Sequence, residues 1–141
     1  MKNIIETLED SEGLSVFLEL VRIAGMEPML REQGPFTVFV PTNEAFSRVP
    51  QARMDEIRQD PDKLLLIVSY HVVPGHLTSE DLRNIAAIRS SLGTDLVFRS
   101  SDRGITVNSV PLVETDAVCT NGICHAIASA LVPPTIEIVT P

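Results

Sequence analysis

The chain has 141 residues, with 11 Lys and Arg against 19 Asp and Glu, a formal net charge of −8. Hydrophobic residues make up 44% and charged residues 21%, the balance of a folded globular chain rather than a disordered one. The charge disfavours phosphate backbones and anionic membrane surfaces. Five Phe, one Tyr and no Trp make no stacking series, so neither nucleic-acid binding nor membrane insertion is expected.

The length predicts a single domain over residues 1–141, with a core large enough to fold without metal or disulfide. No apolar run reaches the ~18 residues of a spanning helix. The opening MKNIIETLEDSEG lacks the apolar run and small-residue cleavage site of an export signal, which leaves a cytoplasmic location open.

In chain order, Ile4, Ile5 and Leu8 fit one face of a short helix. Leu14, Phe17, Leu18, Val21 and Ala24 follow the spacing of an amphipathic helix, with Ser11 as its N-cap and Gly25 just past its end. Pro28 limits the next helix to a short one around Met29 and Leu30. The period then changes: Phe36–Val40 is β-branched and aromatic, a strand ended by Pro41. Thr42 caps a helical turn through Asn43–Phe46, and a short helix covers Gln51–Arg58. Asp60-Pro61-Asp62 opens a helix predicted to run to Val73, buried on every side over Leu64–Val68, and stopped by Pro74-Gly75. One more helical turn begins at Thr78. Strands follow at Ile88–Leu92, Leu96–Phe98, Ile105–Val107, Val110–Val113 and Ile123–Ile127, with a last one at Leu131-Val132. Helices first and strands second give an α+β fold.

Two segments carry a specific resemblance. Phe36–Phe46, FTVFVPTNEAF, and Asn121–Pro134, NGICHAIASALVPP, resemble the two signatures of the fasciclin domain. Tyr70-His71 between them resembles that family's Tyr-His motif, and the resemblance covers residues 3–134. It implies a wedge of two β-sheets with several short helices packed along one side. It implies an extracellular or cell-surface adhesion or protein-interaction module without catalysis or cofactor. The partner would be a cell-surface or matrix protein or glycan. Two positions depart from the family pattern. Ala128 stands where the second signature carries Asp, and Asp116-Ala117 stands where animal members carry a receptor-binding Asp-Ile pair.

The candidate binding residues are therefore Asp116, beside a turn, and Tyr70 and His71, which animal relatives use for integrin binding and which here alternatively pack in the core. Thr42, Asn43 and His125 read as a structural bridge. A buried imidazole must find partners, and a Thr hydroxyl or Asn amide supplies them, clamping the first signature to the last strand. His76 reads as a solvated loop residue.

Cys119 and Cys124 are open to three readings. With Asn121-Gly122 as a two-residue turn, the two cysteines face each other, and a disulfide is geometrically possible. They equally suit two buried free thiols. A metal site with His125 lacks a zinc spacing, so no metal is expected. No nucleophile elbow, metalloprotease, phosphate-loop or dinucleotide motif occurs, and a thiol adjacent to His along a strand is not a dyad, because the two side chains point to opposite faces. The expectation is a monomeric, non-enzymatic binding module. A small-ligand or lipid carrier with an apolar cleft between the sheets is the alternative, and a thiol hydrolase a distant third.

Overall fold

The computed structural model describes residues 2–131. The chain opens with α1 (Ile4–Glu9), closed at its start by a reciprocal pair of hydrogen bonds between Asn3 and Glu6. A 3-10 turn (Glu12–Leu14) leads into α2 (Ser15–Ile23), which buries Phe17, Leu18, Leu20 and Val21. Gly25, at φ +78°, ends it. Then come α3 (Glu27–Glu32), β1 (Phe36–Pro41), α4 (Asn43–Ser47), α5 (Gln51–Arg58) and α6 (Pro61–Tyr70). The second half holds β2 (Val72–Pro74), α7 (Ser79–Arg83), β3 (Ala87–Arg89), β4 (Asp95–Ser101), β5 (Gly104–Val107), β6 (Val110–Cys119) and β7 (Gly122–Ile127).

Three expectations are corrected here. The helix predicted to reach Val73 ends at Tyr70, with His71 as its cap, and Val72–Pro74 pairs antiparallel with β1. Two β-branched residues before a proline prefer extended backbone, and the pairing with β1 settles it. Burial along α6 is one-sided: Leu64 and Val68 are buried while Leu65 and Leu66 are 42% and 38% exposed. Ser11 does not cap α2; its hydroxyl donates back to the Thr7 carbonyl. The last predicted strand, at Leu131-Val132, lies largely outside the described residues.

The strand order is β2-β1-β7-β6-β5-β4-β3, with β1 and β7 parallel and the other neighbours antiparallel. β6 serves both halves of this mixed sheet. Its start pairs with β5, its remainder with β7, and its register shifts between Leu112 and Glu114 and again between Glu114 and Ala117. Bulges of this kind bend a sheet. The bend folds one half over the other, since Phe39 of β1 lies 5.6 Å from Phe98 of β4 although three strands separate them in the order. This is the expected wedge.

Two apolar clusters fill it. One lies between the helices and β1 and β7, built on Ile4, Phe17, Leu30, Val38, Leu64 and Cys124 among others. The second lies between the two halves of the sheet, around Phe39, Tyr70, Leu96, Phe98, Val107 and Ile127. Side chains therefore occupy the space between the halves, where the carrier reading places a cleft.

Candidate functional site

The local chemistry at β6 starts from its sequence. Val113-Glu114-Thr115-Asp116-Ala117-Val118 runs as six consecutive exposed residues, and Val113 and Val118 are each about half exposed, at 52% and 50%. A strand keeps apolar residues at the surface only where packing leaves it uncovered. Here β5 pairs with β6 at Val110 and Pro111 and no further. The result is a bulged ridge. Beside it runs an open groove of about 440 Å³, lined by Leu14, Thr42, Glu44, Val113, Glu114 and Ala126.

Asp116 sits on this ridge with φ +65°, a left-handed conformation that is uncommon for a residue with a side chain. Three contacts hold it there. Its carboxylate accepts hydrogen bonds from the Ser79 amide (2.8 Å) and hydroxyl (2.5 Å) at the start of α7. Its own amide donates to His125 Nδ1 (3.2 Å). Burial works to raise the Asp116 pKa, but the bonds from Ser79 outweigh it and keep the carboxyl below its ordinary range.

His125 is fully buried and stacks on Phe39 at 5.7 Å. Because Nδ1 accepts an amide hydrogen, the ring proton is on Nε2, which donates to the Leu77 carbonyl at 2.8 Å. Burial lowers its pKa; the Leu77 carbonyl and the Asp116 charge act in the opposite direction. The loop from Gly75 to Leu77 is fixed on its other side by Thr37, whose hydroxyl donates to the Gly75 carbonyl and accepts from the Leu77 amide, both at 2.8 Å. The ridge, β7, this loop and α7 thus form one hydrogen-bonded unit.

The predicted bridge of Thr42, Asn43 and His125 does not form. Thr42 caps its own helix by accepting from the Ala45 amide. Asn43 reaches the other way. Its Oδ1 accepts from the Val16 amide, and its Nδ2 donates to the Glu12 carbonyl and Ser15 Oγ, so it caps α2 from a distant part of the chain. His125 points to the opposite side of the sheet, toward Phe39 and Leu77. All three are structural, but through three separate contacts.

Tyr70 and His71 are 3% and 1% exposed and present nothing to a partner. The Asn108 amide donates to the Tyr70 hydroxyl at 2.8 Å. His71 carries its proton on Nδ1, donating to the Ile67 carbonyl at 2.7 Å, while Nε2 accepts from the Leu131 amide at 2.9 Å. Burial drives its pKa down to about 4. Only Asp116 of the three expected binding residues faces outward. His76 is exposed, as expected of a loop residue.

The cysteines stand two residues out of their expected pairing. The turn is Thr120-Asn121, so Cys119 lies opposite Gly122 and Cys124 opposite Ala117. Gly122 explains the shift: a Cβ there would sit 2.0 Å from the Phe36 carbonyl oxygen, so the backbone of β7 begins by pressing on β1 at that residue. Both cysteines are buried free thiols. Sequence reasoning missed Asn121 altogether as more than a turn residue. Its Oδ1 accepts from the Ile4 amide, and its Nδ2 donates to the Leu30 and Gln33 carbonyls. Nothing in a lone Asn-Gly pair signals those distant partners.

These features define an α+β wedge with an exposed, internally braced strand ridge. The fasciclin domain model matches residues 12–133, and the chain belongs to the fasciclin domain family. It is 33% identical over 133 residues to protein sll1483 of Synechocystis, spanning 93% of this chain and 73% of that protein. It is 31% identical over 134 residues to pig transforming growth factor-beta-induced protein ig-h3, spanning 95% of this chain but 20% of that protein. In fold it matches a FAS1 domain pair from the insect cell adhesion molecule fasciclin I, with a TM-score of 0.76 and 18% identity over 95% of this chain and 52% of that one. The expected fold class therefore holds.

Proposed function

We propose that this chain is a non-catalytic adhesion or protein-interaction module, extracellular and monomeric, that binds a cell-surface or matrix protein or glycan through the β6 ridge. The observation that carries this is the ridge itself. Six exposed residues with two half-exposed valines are held in fixed shape by Asp116, Ser79 and His125. Apolar side chains on a pre-ordered support lose little entropy on binding, and the Asp116 carboxylate keeps lone pairs free to accept from a partner. Membership of the fasciclin family, and a fold neighbour drawn from a cell adhesion molecule, support the same reading. A non-catalytic role fits the histidines at 71 and 125, whose ring nitrogens are all engaged by backbone groups.

The test is attachment of cells to immobilised protein, comparing the parent chain with a Val113→Ser, Val118→Ser double variant. These residues are exposed, so melting temperature should stay unchanged while attachment falls. Full attachment by the folded double variant places the binding surface elsewhere. No attachment by the parent chain overturns the adhesion reading.

A further inference from the structure

Cys119 and Cys124 lie on the same face of the β6–β7 hairpin. Their opposite residues are Gly122 and Ala117, so they form a diagonal pair two positions apart, on the side covered by α1. The pair is asymmetric. Cys119 ends β6, with its sulfur 3.3 Å from the Thr7 hydroxyl and 3.4 Å from the Ala117 carbonyl. Cys124 lies in the middle of β7, where every residue is buried.

We infer that Cys119 and Cys124 are a redox site, a dithiol that a low-molecular-weight disulfide such as oxidised glutathione converts reversibly to an intramolecular disulfide, with Cys119 attacking and Cys124 resolving. This goes beyond the adhesion reading and does not depend on it. In the first step the Cys119 thiolate attacks one sulfur of the oxidised glutathione. The glutathione S–S bond breaks, a Cys119–glutathione bond forms, and one glutathione leaves as thiolate, taking up the proton Cys119 has lost. In the second step Cys124, losing its proton, attacks the Cys119 sulfur. The mixed disulfide breaks, the Cys119–Cys124 bond forms, and the second glutathione leaves and is protonated. Two cysteine thiols are oxidised and one glutathione disulfide is reduced to two thiols.

The surroundings assign the order of attack. The neighbouring Cys124 thiol and the Thr7 hydroxyl stabilise a thiolate on Cys119 and bring its pKa down to about 7, against the opposing effect of burial. Cys124 is pushed well above the ordinary thiol value, chiefly by Cys119 and then by burial. Once Cys119 is capped by glutathione its negative charge is gone, the main restraint on Cys124 is lifted, and the resolving thiol is freed to react. Diagonal neighbours across a hairpin stand about 7–8 Å apart, just beyond the usual disulfide span, so closing the bond requires the hairpin backbone to shift and leaves a strained, readily reduced disulfide. Both thiols are buried, Cys119 at 4% and Cys124 at 3% exposure, so the reaction requires local opening of α1, the six-residue helix whose Thr7 lies over Cys119.

The experiment titrates the reduced full chain with mixtures of oxidised and reduced glutathione and reads intact mass. The parent chain should lose two hydrogens without a retained adduct, and dithiothreitol should restore them. Cys124→Ser should stop at one glutathione adduct, mapped to Cys119, and Cys119→Ser should gain none under the same conditions. In the Cys124→Ser chain, Thr7→Val should slow adduct formation at neutral pH, because it removes a hydroxyl that stabilises the thiolate. Circular dichroism confirms that each variant is folded, and the parent-chain result stands whether or not they are. Two unchanged thiols, a glutathione adduct that never closes, or equal adduct formation at both cysteines would overturn the assignment.

Discussion

Asn121 shows how much one side chain carries. It closes the β6–β7 turn, accepts from the first helical amide at Ile4, and donates to two carbonyls at the end of α3, at 2.9, 2.7 and 2.8 Å. These groups are the orphans that every helix end leaves behind. Asn121→Ala removes three bonds at once, and at about 1 kcal/mol for each the expected loss is roughly 2–4 kcal/mol in urea denaturation. Asn121→Asp should not rescue it. The carboxylate still accepts from Ile4 but turns oxygen toward the Leu30 and Gln33 carbonyls. A variant as stable as the parent chain would show the contacts to be dispensable. His125 belongs to the same scale. His125→Ala leaves the Asp116 amide and the Leu77 carbonyl without their partner and opens space beside Phe39. It should cost about 1–3 kcal/mol, and an unchanged denaturation midpoint would refute that. The partners of Asn121, and Leu77 for His125, were invisible in the sequence because they come from segments tens of residues away, and Asp116, though only nine residues from His125, meets it only through the bulge in β6. The types were legible, since a His inside Ile123–Ile127 had to be bonded to something.

Among the elements, the helices and most strands followed from periodicity, because an apolar stripe at 3.6 or 2 residues reports which face is buried. Legibility failed where a long-range partner decides. Val72-Val73 continues the apolar run of α6, and only pairing with β1 makes it a strand. β6 runs on past Val113 through Glu114, Thr115 and Asp116, where the expected apolar alternation is missing because the ridge is exposed on both sides. The hairpin turn moved by one residue, and the pairing with it by two, because close contact of Gly122 with Phe36 overrides the usual turn preference of Asn-Gly. The junction of α6 and β2 also makes the fold sensitive to acid. His71 caps α6 and receives the Leu131 amide, so a second ring proton would point Nε2–H at an N–H group. Its pKa is about 4 in the folded chain against an ordinary 6.5, so between these values the unfolded chain holds more protons. Stability is therefore complete above about pH 6.5 and falls as pH drops toward 4, by about 3 kcal/mol from this residue. His125 is shifted in the same direction and adds to the loss. The check is denaturation midpoint against pH for the parent chain and for His71→Gln, which cannot ionise. The variant should lose less stability on acidification, and parallel curves would rule His71 out as the source.

At the scale of the whole molecule the question is whether the ridge meets a foreign partner or a second copy. Each chain carries a net charge of −8, so two copies repel at low salt. Glu114 and Asp116 stand on the ridge itself, so any face-to-face pairing of two ridges brings carboxylates together. Among the described residues the exposed apolar side chains are also dispersed. Val113 and Val118 lie on β6, Val97 on β4, and Leu65 and Leu66 on α6, which falls short of the contiguous patch a stable dimer buries, about 1,000 Å² or more in total. The expected state is a monomer of 15.4 kDa at micromolar concentration. Sedimentation velocity at low and at high salt separates the contributions. Salt shortens the reach of the charge repulsion to a few ångströms, so association held off by charge alone would emerge as salt rises. A single monomeric boundary at both salt levels is the predicted result, because weakening the repulsion does not supply the missing apolar area. A dimer that forms with salt and disperses in the Val113→Ser, Val118→Ser variant would instead make the ridge a self-contact, and attachment to cells would then compete with dimerisation for the same surface.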